Sequence, residues 1–199
     1  MASEVVLFDL GGVIIELAGV PVLAEWAGGI SEDEVWRRWL ACPWVRRFER
    51  GQCTTEEFGD GLIEEWNLSL ARDEFLEAFR TWPSGLYPGA RELVESLRGR
   101  VLRACFSNTN AFHWADQFQR FELDGLLDRS FLSFEMGLVK PDLEAFEHVI
   151  EALGCPPERI LFLDDNQINI DGARRAGLDA ERVVGPQAAR SALATRGLA

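Results

Sequence analysis

The sequence predicts an α/β protein: a doubly wound parallel sheet, interrupted after its first strand by a helical insertion. Three observations carry this reading. A short apolar run, Val5-Val6-Leu7-Phe8, has the composition of a strand buried on both faces. The stretch of residues 20–82 is almost entirely helical in its apolar spacing. From Pro88 onward, strand-like and helix-like runs alternate, which is the pattern of successive βαβ units.

The first strand is predicted over residues 4–9. Within the insertion, Ser31-x-x-Glu34 reads as a capping box opening a helix over residues 32–41, with Val35, Trp36, Trp39 and Leu40 on one face. Pro43 suits the first position of the next helix, and Gly51 its stop. Thr54-x-x-Glu57 opens another helix, carrying Phe58, Leu62, Ile63 and Trp66. Ser69 is expected to cap a further one, with Phe75, Leu76 and Phe79. Five of the seven tryptophans lie between Trp26 and Trp66, so the insertion is expected to have an aromatic core of its own. Pro83 and the Ser84-Gly85 turn end it. Helices follow over residues 89–97, 112–121, 143–153 (capped by Asp142) and 168–176. Strands are expected over residues 101–106, 130–133 and 159–163, with a last short one near Arg182-Val183-Val184. The boundaries expected are residues 1–15 and 86–199 for the α/β core and 16–85 for the helical cap.

Composition narrows the function. The 199 residues are 47 % apolar and 27 % charged, the balance of a globular protein in water. No apolar run approaches the roughly 20 residues needed to span a bilayer, and the N-terminus lacks a secretory pattern. Cys42, Cys53, Cys105 and Cys155 are widely spaced, so a reduced, cytoplasmic protein is expected. A net charge of -13 opposes large contacts with nucleic acid. Neither nucleic acid nor membrane is an expected partner, and the aromatic cap leaves monomer and homodimer both open. An anion site must be built locally, and Lys140 marks a place for it. It is the only lysine among 20 basic residues, the rest being arginines.

Four segments fall just after predicted strands, where open α/β sheets assemble their sites. They are Asp9-Leu10-Gly11-Gly12, Ser107-Asn108-Thr109-Asn110, Lys140-Pro141-Asp142, and Asp164-Asp165-Asn166 with Asn169 beyond it. Adjacent carboxylates at a buried strand end are costly unless a cation neutralises them, and oxygen ligands from Asp9 and Asp165 suit Mg²⁺.

In this order and spacing the segments resemble the haloacid-dehalogenase-like hydrolase superfamily, with its Rossmann-like core and inserted helical cap. Asp9-Leu10-Gly11, Ser107 to His113 and Asp164-Asp165-Asn166 are similar to the bacterial sugar-phosphatase branch that includes the glucose-1-phosphate phosphatases. The resemblance implies a Mg²⁺-dependent phosphatase acting on a small-molecule phosphate ester, with a sugar phosphate as the first expectation. It implies that Asp9 attacks phosphorus and that Asp9, the Gly11 carbonyl and Asp165 hold Mg²⁺. Ser107 and the Asn108 N–H would bind phosphoryl oxygens, and Lys140 would neutralise charge. Asp164 and Asn169 would either bind the metal through water or orient Lys140.

The family pattern has a second Asp two positions after the first, as general acid and base, and here that position is Gly11. Losing such a group typically costs about 10²–10⁴ in rate. His113 is a candidate substitute, although a role in holding the motif loop is the stronger expectation. His148 reads as structural, and Glu16 as a cap contact. Trp44, Arg46, Arg47, Glu49 and Arg50 read mostly as solvated or core residues, with one or two able to reach a substrate hydroxyl. The alternatives are a metal-independent 2-haloacid dehalogenase, a phosphotransferase or mutase, and a binding protein with weak or no catalysis.

Overall fold

The structure is a computed structural model that describes residues 3–123 and 125–198, apart from the side chains of residues 117–119. Residues 1–2, 124 and 199 of the expected core segments lie outside it. The elements in chain order are β1 (Val5–Phe8), β2 (Ile15–Leu17), α1 (Gly19–Trp26), α2 (Glu32–Ala41), α3 (Pro43–Glu49), α4 (Thr55–Trp66), α5 (Arg72–Arg80), β3 (Pro83–Leu86) and α6 (Ala90–Glu95). Then come β4 (Leu102–Ser107), α7 (Ala111–Arg120), β5 (Arg129–Leu132), α8 (Ser133–Met136), α9 (Leu143–Leu153), a 3₁₀ turn (Pro157–Arg159), β6 (Ile160–Asp164), α10 (Gln167–Arg175), β7 (Asp179–Arg182) and α11 (Gly185–Ala194).

Five strands form one parallel sheet in the order β5-β4-β1-β6-β7. β1 is central, and all four of its residues are buried, as its continuous apolar run requires. Alternate side chains serve opposite faces. Val6, Phe8, Cys105, Leu161 and Leu163 pack with Leu93 and Val94 of α6 and Ala189 and Leu193 of α11. Val5, Leu7, Ala104, Phe106, Ile160 and Phe162 pack with Phe146 and Val149 of α9 and Ile170 of α10. The chain runs outward from β1 through β4 and β5, then returns to β6 on the other side. That reversal sets the carboxyl ends of β1, β4 and β6 side by side, which is where such sheets bind ligands.

Helices α1–α5 lie between β2 and β3 and share a separate apolar core. Phe58 is fully buried, stacked on Phe48 at 4.2 Å and packed against Phe75 and Phe79. β2 and β3 pair antiparallel as a two-stranded ribbon beneath these helices.

Several local expectations are corrected. Pro83-Ser84-Gly85 belongs to strand β3, because Pro83 sits at its first position, where no ladder donor is required. Ser31 does accept the Glu34 N–H, but the Glu34 carboxylate bonds Arg38 and pairs with Arg37 as well, so no reciprocal box forms there. Thr54 and Glu57 do form the complete box. Ser69 caps nothing: α5 starts after Ala71, without a side-chain cap. Asp142 occupies the N-cap position of α9 but makes no cap bond. Its carboxylate instead accepts from Arg46 at 2.6 Å and Arg50 at 2.7 Å, tying α3 to the loop before α9. The last strand is Asp179–Arg182, earlier than the apolar pair Val183-Val184 indicated, and α11 follows it. Among the described residues, no helix is long and apolar enough to cross a membrane.

Phe58→Ala leaves a large cavity in the cap core, a class of change that costs about 3–5 kcal/mol. Urea unfolding should show that loss, with the five-stranded sheet retaining its far-UV signal longest.

Candidate active site

Asp9 follows the buried end of β1 and is 8 % exposed. Its Oδ1 accepts from the Leu10 N–H at 2.8 Å and lies 3.0 Å from Lys140 Nζ, which fixes the plane of the carboxyl group. Lys140 is 1 % exposed, and its Nζ also donates to Asp164 Oδ2 at 2.7 Å. The ammonium sits 5.4 Å from the ring centres of Phe106 and Phe162. Burial alone would release its proton, yet Asp164 and Asp9 outweigh it and hold the Lys140 pKa above its ordinary value.

The Asn108 side chain fastens this lysine from the next loop. Its Oδ1 accepts the Lys140 N–H at 2.9 Å, and its Nδ2 donates to the Lys140 carbonyl at 3.0 Å. Ser133 steadies the same loop, accepting from the Thr109 N–H and donating to the Thr109 carbonyl, both at 2.9 Å. Ser107 ends β4, 4 % exposed, and faces the same cavity as Asp9 and Lys140.

Asp164 is fully buried, and both its oxygens carry protein donors. Oδ1 accepts from the Asn166 N–H at 2.8 Å and Asn169 Nδ2 at 3.1 Å, while Oδ2 accepts from Lys140 and from Asn169 at 3.0 Å. The geometry therefore makes Asp164 and Asn169 a socket for Lys140. Asp165 is held differently. Burial, then the neighbouring Asp164 charge, pushes its carboxyl up to about 7. Asp9 is also raised, by burial and then by the Asp164 and Asp165 charges against the pull of Lys140.

Carboxylate oxygens of Asp9, Asp164 and Asp165 lie within 4.8 Å of one another. Gly12 permits this approach. Its φ is +72°, and a Cβ there would come within 2.2 Å of Asp165 Oδ2. Two carboxyl groups raised by their own burial and repulsion form an under-neutralised pair, and Asn169 Oδ1 is buried with no protein partner among the described residues. Hard oxygen donors with excess negative charge fit Mg²⁺.

Position 11 has no side chain, and the tip of Leu17 reaches toward it. A Cβ on Gly11 would lie 2.9 Å from Leu17 Cδ1, because the β2–β3 ribbon lays Leu17 against it. His113 is also committed. Its Nε2 is 2.7 Å from the Phe79 carbonyl, which can only accept, so that nitrogen carries the proton. Its Nδ1 faces Asn110 Nδ2 at 3.4 Å, and Asn110 Oδ1 caps the His113 N–H. Burial lowers the His113 pKa to about 4. The ring is a neutral strut between α7 and the end of α5.

The cavity over these residues has a cap-side wall of Val20, Leu23, Val35, Trp36, Trp39 and Trp82. One carboxyl group interrupts it. Glu49, at the end of α3, is 7 % exposed, accepts from Trp39 Nε1 at 3.2 Å, and is pushed by burial up to about 7. Sequence alone gave Glu49 no weight over its charged neighbours in α3. His148 and Glu16 do not line the cavity, nor do Trp44, Arg46, Arg47 and Arg50.

A family model described as haloacid dehalogenase-like hydrolase matches residues 4–177. The chain belongs to that family. Proteins similar to it include the sesquiterpene phosphatase astK of Aspergillus oryzae, 29 % identical over 86 % of this chain and 85 % of that one. The D-ribitol-5-phosphate phosphatase of Bacteroides thetaiotaomicron is 24 % identical over 87 % and 88 %. A crystal structure of a family enzyme from B. thetaiotaomicron, in complex with magnesium and inorganic phosphate, superposes with a TM-score of 0.70. It is 26 % identical and covers 90 % of this chain and 93 % of that one.

The neutral His113 has a consequence for stability. In the unfolded chain its pKa is near 6.5, above the folded value of about 4, so the unfolded state takes up the proton first as pH falls. That stability is whole above pH 6.5 and is lost toward pH 4, by about 3 kcal/mol. Urea titrations at pH 7 and pH 4 should show the parent losing about that much more stability over the range than His113→Gln does.

Proposed function

We propose that this phosphate-ester hydrolase is Mg²⁺-dependent, works through an aspartyl-phosphate on Asp9 and uses residues 16–85 as a cap. The observation that carries the reading is the Lys140 ammonium, buried between Asp9 and Asp164, beside Asp165 in a cluster whose carboxylate oxygens lie within 4.8 Å of one another. Asp9 attacks phosphorus, and the bond from phosphorus to the alcohol oxygen breaks. Lys140 offsets negative charge on the carboxylate and the transferring group, and it does so without rearranging, because Asn108, Asp164 and Asn169 already fix it. Ser107 and the Asn108 N–H bind the non-bridging oxygens. Asp9, Asp165 and the Gly11 carbonyl would hold Mg²⁺, which supplies Lewis acidity and further neutralisation. Water then cleaves the aspartyl-phosphate. A cytoplasmic setting, which keeps the four free cysteines reduced, is part of the same proposal.

Two readings of the alcohol have support. The relative acting on D-ribitol 5-phosphate supports a sugar or polyol ester. The apolar cap wall and the relative named as a sesquiterpene phosphatase favour a monophosphate of an apolar alcohol. A wall of tryptophan, leucine and valine offers little to a polyol, whose hydroxyls lose water on entry.

Phosphate release from glucose 1-phosphate, ribitol 5-phosphate and a C15 isoprenyl monophosphate decides between them. Each should require Mg²⁺ and should vanish in Asp9→Asn. Lys140→Met should lower kcat by about 10²–10³, the scale of losing one preorganised charge-stabilising group. Turnover that persists undiminished in EDTA would sink the metal-dependent reading.

A further inference from the structure

Granting the phosphohydrolase reading, we propose that Glu49 of the cap is the proton donor and acceptor of this active site, in the place left vacant at position 11. The usual position carries no side chain, since residue 11 is glycine, with the tip of Leu17 2.9 Å from where a Cβ would stand. His113 has no proton to offer, because its Nε2–H is bonded to the Phe79 carbonyl inside the core. Among the described residues lining the cavity, the other carboxyl groups are Asp9 and Asp165, both already assigned to nucleophile and metal. Glu49 remains.

Its placement over the phosphate end is built into the fold. Arg46 and Arg50 flank Glu49 in sequence, and both donate to Asp142, two residues beyond Lys140. Gly51 abuts the Phe134 carbonyl, so closely that a Cβ there would meet it at 2.8 Å. The last turn of α3 is thereby docked on the core, and Glu49 lines the same cavity as Asp9 and Lys140. Its Oε1 is oriented by the Trp39 indole.

The charge environment suits the role. Burial raises Glu49 to about 7, while the Trp39 donor, Lys140, Arg46 and the Asn108 amide draw it down. Asp9, Asp165 and neutral His113 line the same cavity. An acid poised near neutrality can give a proton and take it back within one turnover. In the first step the Asp9–phosphorus bond forms, the bond from phosphorus to the alcohol oxygen breaks, and Glu49 protonates the departing oxygen. In the second, Glu49 takes a proton from the attacking water as the aspartyl-phosphate bond breaks and inorganic phosphate leaves.

The test compares a primary alkyl phosphate with 4-nitrophenyl phosphate, each with Mg²⁺, in the parent, Glu49→Gln and Glu49→Asp. The alkyl ester needs its leaving oxygen protonated, whereas the nitrophenolate departs unaided. Glu49→Gln should lower kcat/KM by about 10²–10⁴ for the alkyl ester and by less than about tenfold for the aryl ester. With the aryl ester it should also show a burst of nitrophenol, because the aspartyl-phosphate then waits for its base. Glu49→Asp should recover part of the alkyl rate. Trp39→Phe removes the donor that favours the charged carboxylate, so the basic limb of the alkyl-ester profile should move to higher pH. Equal losses with both esters, or an unmoved limb in Trp39→Phe, would overturn the assignment. A parent that turns over neither ester with Mg²⁺ would overturn the phosphohydrolase reading itself.

Discussion

The interaction on which the rest of the site depends is the buried ion pair network of Lys140 with Asp9 and Asp164. A lone ammonium, 1 % exposed among Phe106, Phe162 and the sheet ends, would lose its charge. The two carboxylates prevent that, and they in turn come from adjacent parallel strands that only the sheet order β4-β1-β6 brings together. Around this centre the polar groups divide their labour. Asn108 holds the lysine's backbone, and Asn169 with the Asn166 N–H completes Asp164. Asp165 is left outside the network, raised by burial and by its neighbour. The arrangement is therefore saturated on one side of Asp9 and short of positive charge on the other. A divalent cation fits the second side.

Much of this was legible in the chain. Strand ends followed by Asp, Ser and Asp-Asp, and a single lysine in an arginine-rich sequence, pointed to the residues that the fold gathers. Alternating apolar runs gave the parallel sheet and its interruption. What escaped has physical causes. The β2–β3 ribbon is short and contains proline and glycine, so its pairing depends on the cap's closure onto the core more than on strand propensity. Strand β7 is charged because it lies at a sheet edge, which hid it behind the more apolar Val183-Val184. Asp142 looked like a helix cap because local spacing cannot register two arginines arriving from residues 46 and 50. Glu49 could not be told from its charged neighbours for the same reason. Its burial arises from tertiary docking of α3, and nothing in Phe48-Glu49-Arg50 sets it apart from a solvated charge.

The cap and core communicate through few but well-defined contacts. His113 reaches the end of α5, Asp142 reaches α3, and the ribbon carries Leu17 beneath the cavity. Each contact also bears on a residue of the site: Asn110 in the second motif loop, Lys140 beside Asp142, and Gly11 in the first. Shifting the cap would disturb the charge pattern as well as the volume above it.

The contact between Gly11 and Leu17 constrains how this site can change over generations. A side chain at position 11 would press on the tip of a leucine that also lines the cavity. Swinging that leucine aside would reshape the cavity floor beneath the cap. The two positions are thus coupled: what stands at 11 sets where Leu17 can point, and so the shape of the cavity beneath the cap.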